Sequence, residues 1–185
     1  MKLDLGGGWG SHALRDFIEV DLVIAMPGGV LWDLSQFPYP WADNTVELIH
    51  CSHTLEHLCK QDAINLLREC YRILVPGGIL TLAVPDMDIL IEGHLTGDWS
   101  GHPQALLDLI DLNYCGGDKH PVNEAWRHRY MWCWESLAYV LEKIGYVEVE
   151  RHGHEDGKYV DLFAGGYNQD FSTITLYVDA VKPGK

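Results

Sequence analysis

Residues 63–84 change hydrophobic period across one break, and that change dictates the kind of fold the chain can reach. Ala63, Leu66, Leu67, Cys70, Tyr71 and Leu74 recur at three- and four-residue spacing, which predicts a helix with one apolar face. Pro76-Gly77-Gly78 is expected to stop it, because proline lacks a donor and glycine tolerates positive φ. Ile79–Val84 then runs apolar nearly throughout, as in a parallel strand covered on both faces. An amphipathic helix feeding a doubly covered strand calls for helices packed on a parallel sheet.

The rest of the chain repeats that theme. Lys2–Leu5 predicts a short strand that breaks into Gly6-Gly7-Gly8-Trp9-Gly10. Ser11–Phe17 predicts one or two turns of helix with Ser11 as N-cap. Ile18–Leu22 and Val30–Trp32 predict the second and third strands, with no helix of useful length between them. Pro38, Pro40 and Asn44 mark Gln36–Asn44 as a loop ahead of a buried fourth strand over Thr45–His50. Past Pro85 the pattern loosens; Pro103–Tyr114 predicts a helix and residues 115–130 a loop. Leu137, Val140, Leu141 and Ile144 predict a core-facing helix ended by Gly145. Tyr146–Glu150 and Ser172–Val181 predict the final strands, the latter with Ile174, Leu176, Val178 and Ala180 on one face. The expected fold class is α/β, a mostly parallel twisted sheet in a single domain over residues 1–185. Ligands of such sheets bind beyond the carboxyl ends of the strands, where the strand order reverses.

Composition narrows the partners. Against 27 Asp and Glu stand only 13 Lys and Arg, a formal charge of −14. Bulk nucleic-acid binding rests on Lys and Arg, so it is disfavoured. No apolar run approaches the roughly 18 residues of a membrane span. Cys51, Cys59, Cys70, Cys115 and Cys133 are odd in number, lack a disulfide-rich spacing and follow no signal peptide. A soluble, cytoplasmic protein is expected. Trp9, Trp32, Trp41 and Trp99 fall in or near loops, and an exposed aromatic cluster there would favour a homo-oligomer.

Three strand ends carry candidate chemistry. Glycines after Leu3-Asp4-Leu5 let a ligand approach the backbone, a tight turn without ligand being the weaker competing reading. As a dinucleotide fingerprint the segment fits poorly, since the third small position falls on Ser11; a nicotinamide-dependent oxidoreductase has no other support. Asp21, 17 positions after Asp4, suits the two hydroxyls of a ribose, and Asp33 an adenine amino group. Either is equally readable as a solvated strand-end acid. After the fourth strand comes Cys51-Ser52-His53-Thr54-Leu55-Glu56-His57. Cys51, His53, His57 and Cys59 invite a zinc reading, but Cys51 and His53 are too close for knuckle spacing and no second ligand pair follows. No metal is expected. Ser52 and His53 are placed at the mouth of the cleft, with Glu56 and His57 tying the loop to the next helix.

The strings LDLGGG, EVD, WDLSQFPYPWADNTVELIHCSHTLEH, LLRECYRILVPGGILTLAVPD and ITLYVDAVKP together resemble the small type-11-like class I S-adenosylmethionine-dependent methyltransferases. The resemblance covers residues 3–86 well and the rest loosely. It implies a Rossmann-like fold with seven strands, the strand at 172–181 antiparallel. It also implies that Gly6, Gly7 and Gly8 line the methionine part of S-adenosyl-L-methionine, and that Asp21 takes the ribose hydroxyls. Asp33 with Leu34 would hold the adenine, Cys51 with Ser52 the other side of the cleft, and cofactor and acceptor would meet near His53. Against the family pattern, helices ahead of the first strand and between the second and third strands are reduced. A thinly covered cofactor site follows, so affinity is weak or a partner completes it.

The acceptor side is read from what it lacks. CSHT replaces the Asn/Asp-Pro-Pro-Tyr pattern of amino-directed nucleic-acid methyltransferases, in agreement with the acidic charge. Residues 87–134 are expected to cover the acceptor site. Their aromatics would stack on a sugar or flat ring if they are not simply core, and His120, before Pro121, is the candidate for acceptor contact alongside His53. His152 and His154 are expected at a solvated strand end. The functional expectation is a methyltransferase for a small-molecule or saccharide acceptor; the alternative is a non-catalytic domain of the same fold completed by a partner.

Overall fold

The computed structural model describes residues 1–7, 16–22, 27–97, 127–154, 156 and 172–184. Within them run β1 (Lys2–Leu5), β2 (Ile18–Asp21), β3 (Val30–Leu31), β4 (Val46–Ser52), α1 (Lys60–Ile73), β5 (Leu74–Pro85), α2 (Met87–Thr96), α3 (Trp134–Ile144), β6 (Val147–His152) and β7 (Thr175–Val181). A single 3-10 turn, Leu55–His57, links β4 to α1. The described strands form one seven-stranded sheet in the order β3-β2-β1-β4-β5-β7-β6. All pairings are parallel except those of β7, which runs antiparallel to both β5 and β6. The order reverses between β1 and β4, so their carboxyl ends open the crevice where such sheets take ligands. The expected fold class is thus the observed one.

The core sits where the sequence alternation places it. Leu3, Leu5, Val20, Val46, Ile49, Leu80, Leu82, Leu176 and Val178 are buried on the sheet, and Leu66, Leu67, Ile73, Leu137 and Leu141 close over it from α1 and α3. The two helices lock together through Tyr146, whose hydroxyl donates to Leu67 O at 3.2 Å and whose ring meets Tyr71 edge-on at 5.1 Å. Gly145 ends α3 at φ 119°, where Tyr71 already lies 3.1 Å from the position of an added Cβ.

Several boundaries differ from expectation. Helix α1 ends before the proline turn, and Pro76-Gly77-Gly78 falls within the first part of β5, with Pro76 and Gly77 exposed and Gly78 buried. A residue preceding proline avoids the helical region, so the chain turns extended ahead of Pro76, already at Leu74 with ψ 140°. Lys182 Nζ then satisfies the exposed carbonyls, donating to Leu74 O at 2.8 Å and Arg72 O at 3.3 Å. Helix α2 escaped the periodicity because it has no single apolar stripe: Leu90 is buried while Ile91 and Leu95 are exposed. Its signals are the caps. Asp86 accepts from Asp88 N at 3.0 Å, and Gly97 leaves the helix at φ 70°. Strand β7 is buried on both faces, Thr175, Tyr177 and Asp179 included, because β5 and β6 flank it. Trp32 and Trp41 pack against the core, so the aromatic cluster expected to favour association is not presented by them. The helix expected at Pro103–Tyr114 and the short one at Ser11–Phe17 fall wholly or largely outside the described residues.

The loop over residues 36–44 is pinned by one side chain. Arg72 Nε and Nη2 donate to the two Glu69 oxygens at 2.9 and 2.8 Å, Nη1 to Trp41 O and Asp43 Oδ1, and Nη2 also to Tyr39 O. These hydrogen bonds from Arg72, ahead of the opposing burial, hold the Glu69 carboxyl below its ordinary range. Arg72→Ala should destabilise the protein by roughly 2–3 kcal/mol, the scale of charged hydrogen bonds, and Arg72→Lys should recover little of it because an ammonium lacks the fork. Urea unfolding of the three proteins checks this.

Candidate functional site

The crevice is built from the turns that end β1 and β4. Gly6 leaves β1 at φ 73°, with its N–H donating to Val20 O at 2.8 Å. A Cβ at Gly6 would lie 2.0 Å from Thr54 Oγ1. Thr54 in turn donates toward Leu5 O and Ser52 O at 3.2 and 3.0 Å. A Cβ at Gly7 would meet Asp4 Oδ2 at 2.7 Å and Glu19 Cγ at 3.1 Å. Gly6 is therefore demanded by packing across the crevice floor, whereas a side chain at Gly7 would have to displace the Asp4 carboxyl. Gly8 lies outside the described residues.

Acids gather on the β1–β2 side. Asp4 and Glu19 are register partners, both buried, and Asp21 ends β2 one pair beyond Leu5 and Val20. Burial, reinforced by the charges of Glu19 and Asp21, raises the Asp4 carboxyl to about 7. Asp33 behaves differently. Its Oδ1 accepts from Ser35 N at 2.9 Å and Ser35 Oγ at 2.7 Å, which holds its carboxyl below the ordinary range. Leu34, beside it, is a core residue whose carbonyl accepts from Tyr39 Oη.

On the opposite side, strand β4 runs two residues further than expected, through Cys51 and Ser52. Cys51 is wholly buried, and burial pushes its thiol well up, so it offers the crevice no reactive sulfur. His53 then turns at φ 47° while its N–H still donates to Ala83 O at 2.8 Å. Left-handed backbone is uncommon for a residue with a Cβ, and it swings this imidazole off the strand. Its Nε2 lies 3.2 Å from Thr175 Oγ1 at the start of β7, and its Nδ1 3.3 Å from Glu56 Oε1. His53 thus sits between two strands and a buried carboxylate at the crevice edge.

Glu56 is fully buried. Burial pushes its carboxyl up, but the bond from His53 and the neighbouring His57 and His128 outweigh it and hold the group below its ordinary range. Burial lowers His128 to about 4, against the pull of Glu56, and its ring meets that of His57 at 5.0 Å. Rather than tying the loop to α1, Glu56 ties it to the chain ahead of α3: its carbonyl accepts from Arg129 N at 2.7 Å and Tyr130 N at 3.2 Å. Sequence reasoning missed His128, whose only signal was its type.

The four residues of the zinc reading do not converge. Cys51 is in the core and Cys59 is exposed, its thiol donating to Asp62 Oδ2 at 3.0 Å. His152 and His154 are not solvated as expected. His152 stacks on Tyr177 and lies 3.5 Å from Asp179 Oδ1, and His154 Nδ1 lies 3.1 Å from Tyr177 Oη. Burial lowers His152, but the bond to Asp179 and the Gly153 carbonyl raise it overall. Of the aromatics expected over the acceptor site, Trp132 is core and Trp134 packs on it. His120 lies outside the described residues.

The arrangement has known counterparts. Residues 27–82 match the methyltransferase domain family. Among solved structures, a chain of the complex between the Haloferax volcanii Trm112 methyltransferase activator and a methyltransferase superposes with TM-score 0.59 at 17% identity, covering 98% of this chain and 82% of that one. A SAM-dependent methyltransferase from Archaeoglobus fulgidus gives 0.57 at 16% identity, over 98% and 85% of the two chains. Haemonchus contortus phosphoethanolamine N-methyltransferase 2, in complex with S-adenosyl-L-methionine, gives 0.55 at 14% identity, over 98% and 48%. The fold is that of the class I methyltransferases. No curated protein matches the chain. No helix among the described residues is long and apolar enough to cross a membrane.

Two measurements check the crevice floor. Gly6→Ala should destabilise the protein by roughly 2–4 kcal/mol without any ligand present, from left-handed backbone cost plus overpacking on Thr54. Asp4 holds its proton to about 7 when folded and releases it near 4 when unfolded. Its stabilising contribution is therefore complete below pH 4 and lost as pH rises through 7. Asp4→Asn should gain roughly 2–4 kcal/mol on the wild type between pH 4 and pH 8, by denaturant unfolding at each pH.

Proposed function

We propose that the protein is an S-adenosylmethionine-dependent methyltransferase whose acceptor is a small molecule or saccharide. The observation that carries the reading is the switch-point crevice, with an acid-rich wall ending in Asp21 on one side and the turn at Ser52–His53 on the other. The carboxylates gathered on this wall, Asp4, Glu19 and Asp21, fit a ligand bearing hydroxyl donors and positive charge. Asp21 accepts the ribose hydroxyls, Asp33 and Leu34 flank the adenine, and the backbone of Gly6, Gly7 and Gly8 borders the methionine part. Cys51 contributes through its backbone, together with Ser52. When bound, the cofactor supplies an electrophilic methyl group on a sulfonium. His53 holds or removes a proton at the acceptor atom, and His120 contacts the acceptor. Positioning alone supplies much of the acceleration in such displacements, up to roughly 7–11 kcal/mol.

The charge of −14 supports an acceptor other than bulk nucleic acid. Free thiols at Cys51, Cys59, Cys70 and Cys133 are in keeping with a reducing, cytoplasmic setting. A second reading, a domain of this fold completed by a partner, is favoured by the two-residue edge strand β3, where Leu31 is 64% exposed next to Leu22 at 52%. One similar solved chain belongs to a complex between the Haloferax volcanii Trm112 methyltransferase activator and a methyltransferase.

Calorimetric titration with S-adenosylmethionine and S-adenosylhomocysteine, with NAD as control, tests the reading. Wild type should bind both sulfur nucleotides and not NAD. Asp21→Ala should weaken them roughly tenfold or more, the scale of a charged hydrogen bond, while the melting temperature barely moves. Equal loss of binding and stability would make Asp21 a structural carboxylate.

A further inference from the structure

Three buried polar atoms beside the crevice lack hydrogen-bond partners among the described residues, Glu56 Oε2, His57 Nδ1 and His128 Nδ1, and Glu56 Oε1 has only the 3.3 Å contact of His53 Nδ1. One ligand atom from each of the three residues lies within 4.8 Å of the other two. We infer that Glu56, His57 and His128 bind one divalent transition-metal ion, zinc being the natural choice, at a site that adjoins the β4 side of the crevice but uses none of the residues proposed to hold the cofactor.

The argument begins with cost. A buried polar group left unsatisfied costs about 1–3 kcal/mol, and a buried charge several times that unless it is paired. Glu56 is 0% exposed and His128 6%, so water cannot discharge the debt. The His53 Nδ1 contact at 3.3 Å reaches one oxygen only. Two imidazoles and a carboxylate are a borderline-soft nitrogen and oxygen set, which zinc takes at about 2.0–2.2 Å per ligand.

The backbone is already arranged for it. Glu56 and His57 are neighbours on the 3-10 turn, and the Arg129 and Tyr130 amides clamp the Glu56 carbonyl, which holds the segment bearing His128 against that turn. His53 is the nearest donor for a fourth position. An ion here would clip the turn after β4 to the chain leading into α3, closing a long loop. A second cluster, Asp88, Cys133 and Glu135, has the same spacing but a different character. Its members cap the start of α3: Trp134 N donates to Asp88 Oδ2 at 3.3 Å, Cys133 pairs with Ser136, and Glu135 is exposed.

The test uses the full chain stripped with a chelator, then titrated with Co2+ and Zn2+. One Co2+ per chain should bind, giving visible ligand-field bands without thiolate-to-cobalt charge transfer, and Zn2+ should displace it and raise the melting temperature. His128→Ala and Glu56→Gln should each weaken binding by more than the roughly 10–100-fold that losing an outer-shell partner costs, whereas Cys133→Ser should leave it intact. Should both ligand variants fail to fold, X-ray absorption of the zinc-loaded wild type decides, with two imidazoles plus oxygen and no sulfur expected. Absence of stoichiometric binding by folded wild type, a sulfur ligand, or undiminished binding in folded ligand variants would overturn the inference. None of these outcomes bears on S-adenosylmethionine binding, which is measured separately.

Discussion

The contact between Thr54 and Gly6 closes the floor of the crevice, and the arrangement of the site depends on it. Strands β1 and β4 are adjacent and parallel, yet their outgoing turns diverge, because the strand order reverses between them. At these strand ends the carbonyls of Leu5 and Ser52 both come within reach of Thr54. Its hydroxyl is offered to the two of them, one on each strand. That reach is open only because residue 6 has no Cβ and accepts φ 73°. With the floor fixed, Asp4, Glu19 and Asp21 line one side and Ser52 and His53 the other.

The two walls have opposite electrostatic character. On the β1–β2 side, like charges and burial act in the same direction, so a carboxyl is kept protonated to about 7 and the wall resists further negative charge. On the β4 side, a buried carboxyl is surrounded by three imidazoles, which hold it ionised despite its burial. The first wall invites hydroxyl and cationic groups of a ligand; the second fixes the orientation of His53 between Glu56 and Thr175. Under the proposed function, one wall would bind and the other position, which suits a reaction in which alignment contributes more than proton transfer.

Support for this geometry comes from outside the crevice. Arg72 ties the loop after β3 to α1, and Lys182 closes the end of α1 against the last residues of the sheet. Glu56 performs the matching task near α3, its carbonyl holding Arg129 and Tyr130. In each case a polar group of one element satisfies backbone groups of another, which is how irregular connections remain buried without stranding donors.

Much of the architecture was legible in the sequence, because hydrophobic period and the conformational limits of glycine and proline are properties of a few consecutive residues. The helix face at 63–74, the doubly covered strand at 79–84 and the strand ends at Gly6 and Asp21 follow from such local rules, and the family resemblance added the antiparallel last strand. Local rules misplaced the end of α1, where Pro76 acts on the residues before it, and overlooked α2, whose apolar residues form no stripe. Register and long-range contact were decided only in three dimensions. No spacing in the chain brings Asp4 opposite Glu19, sets His53 against Thr175, or gathers His128 to Glu56 and His57. Those neighbours are separated by whole elements, and only the strand order of the folded sheet and the clamp on Glu56 bring them within bonding distance.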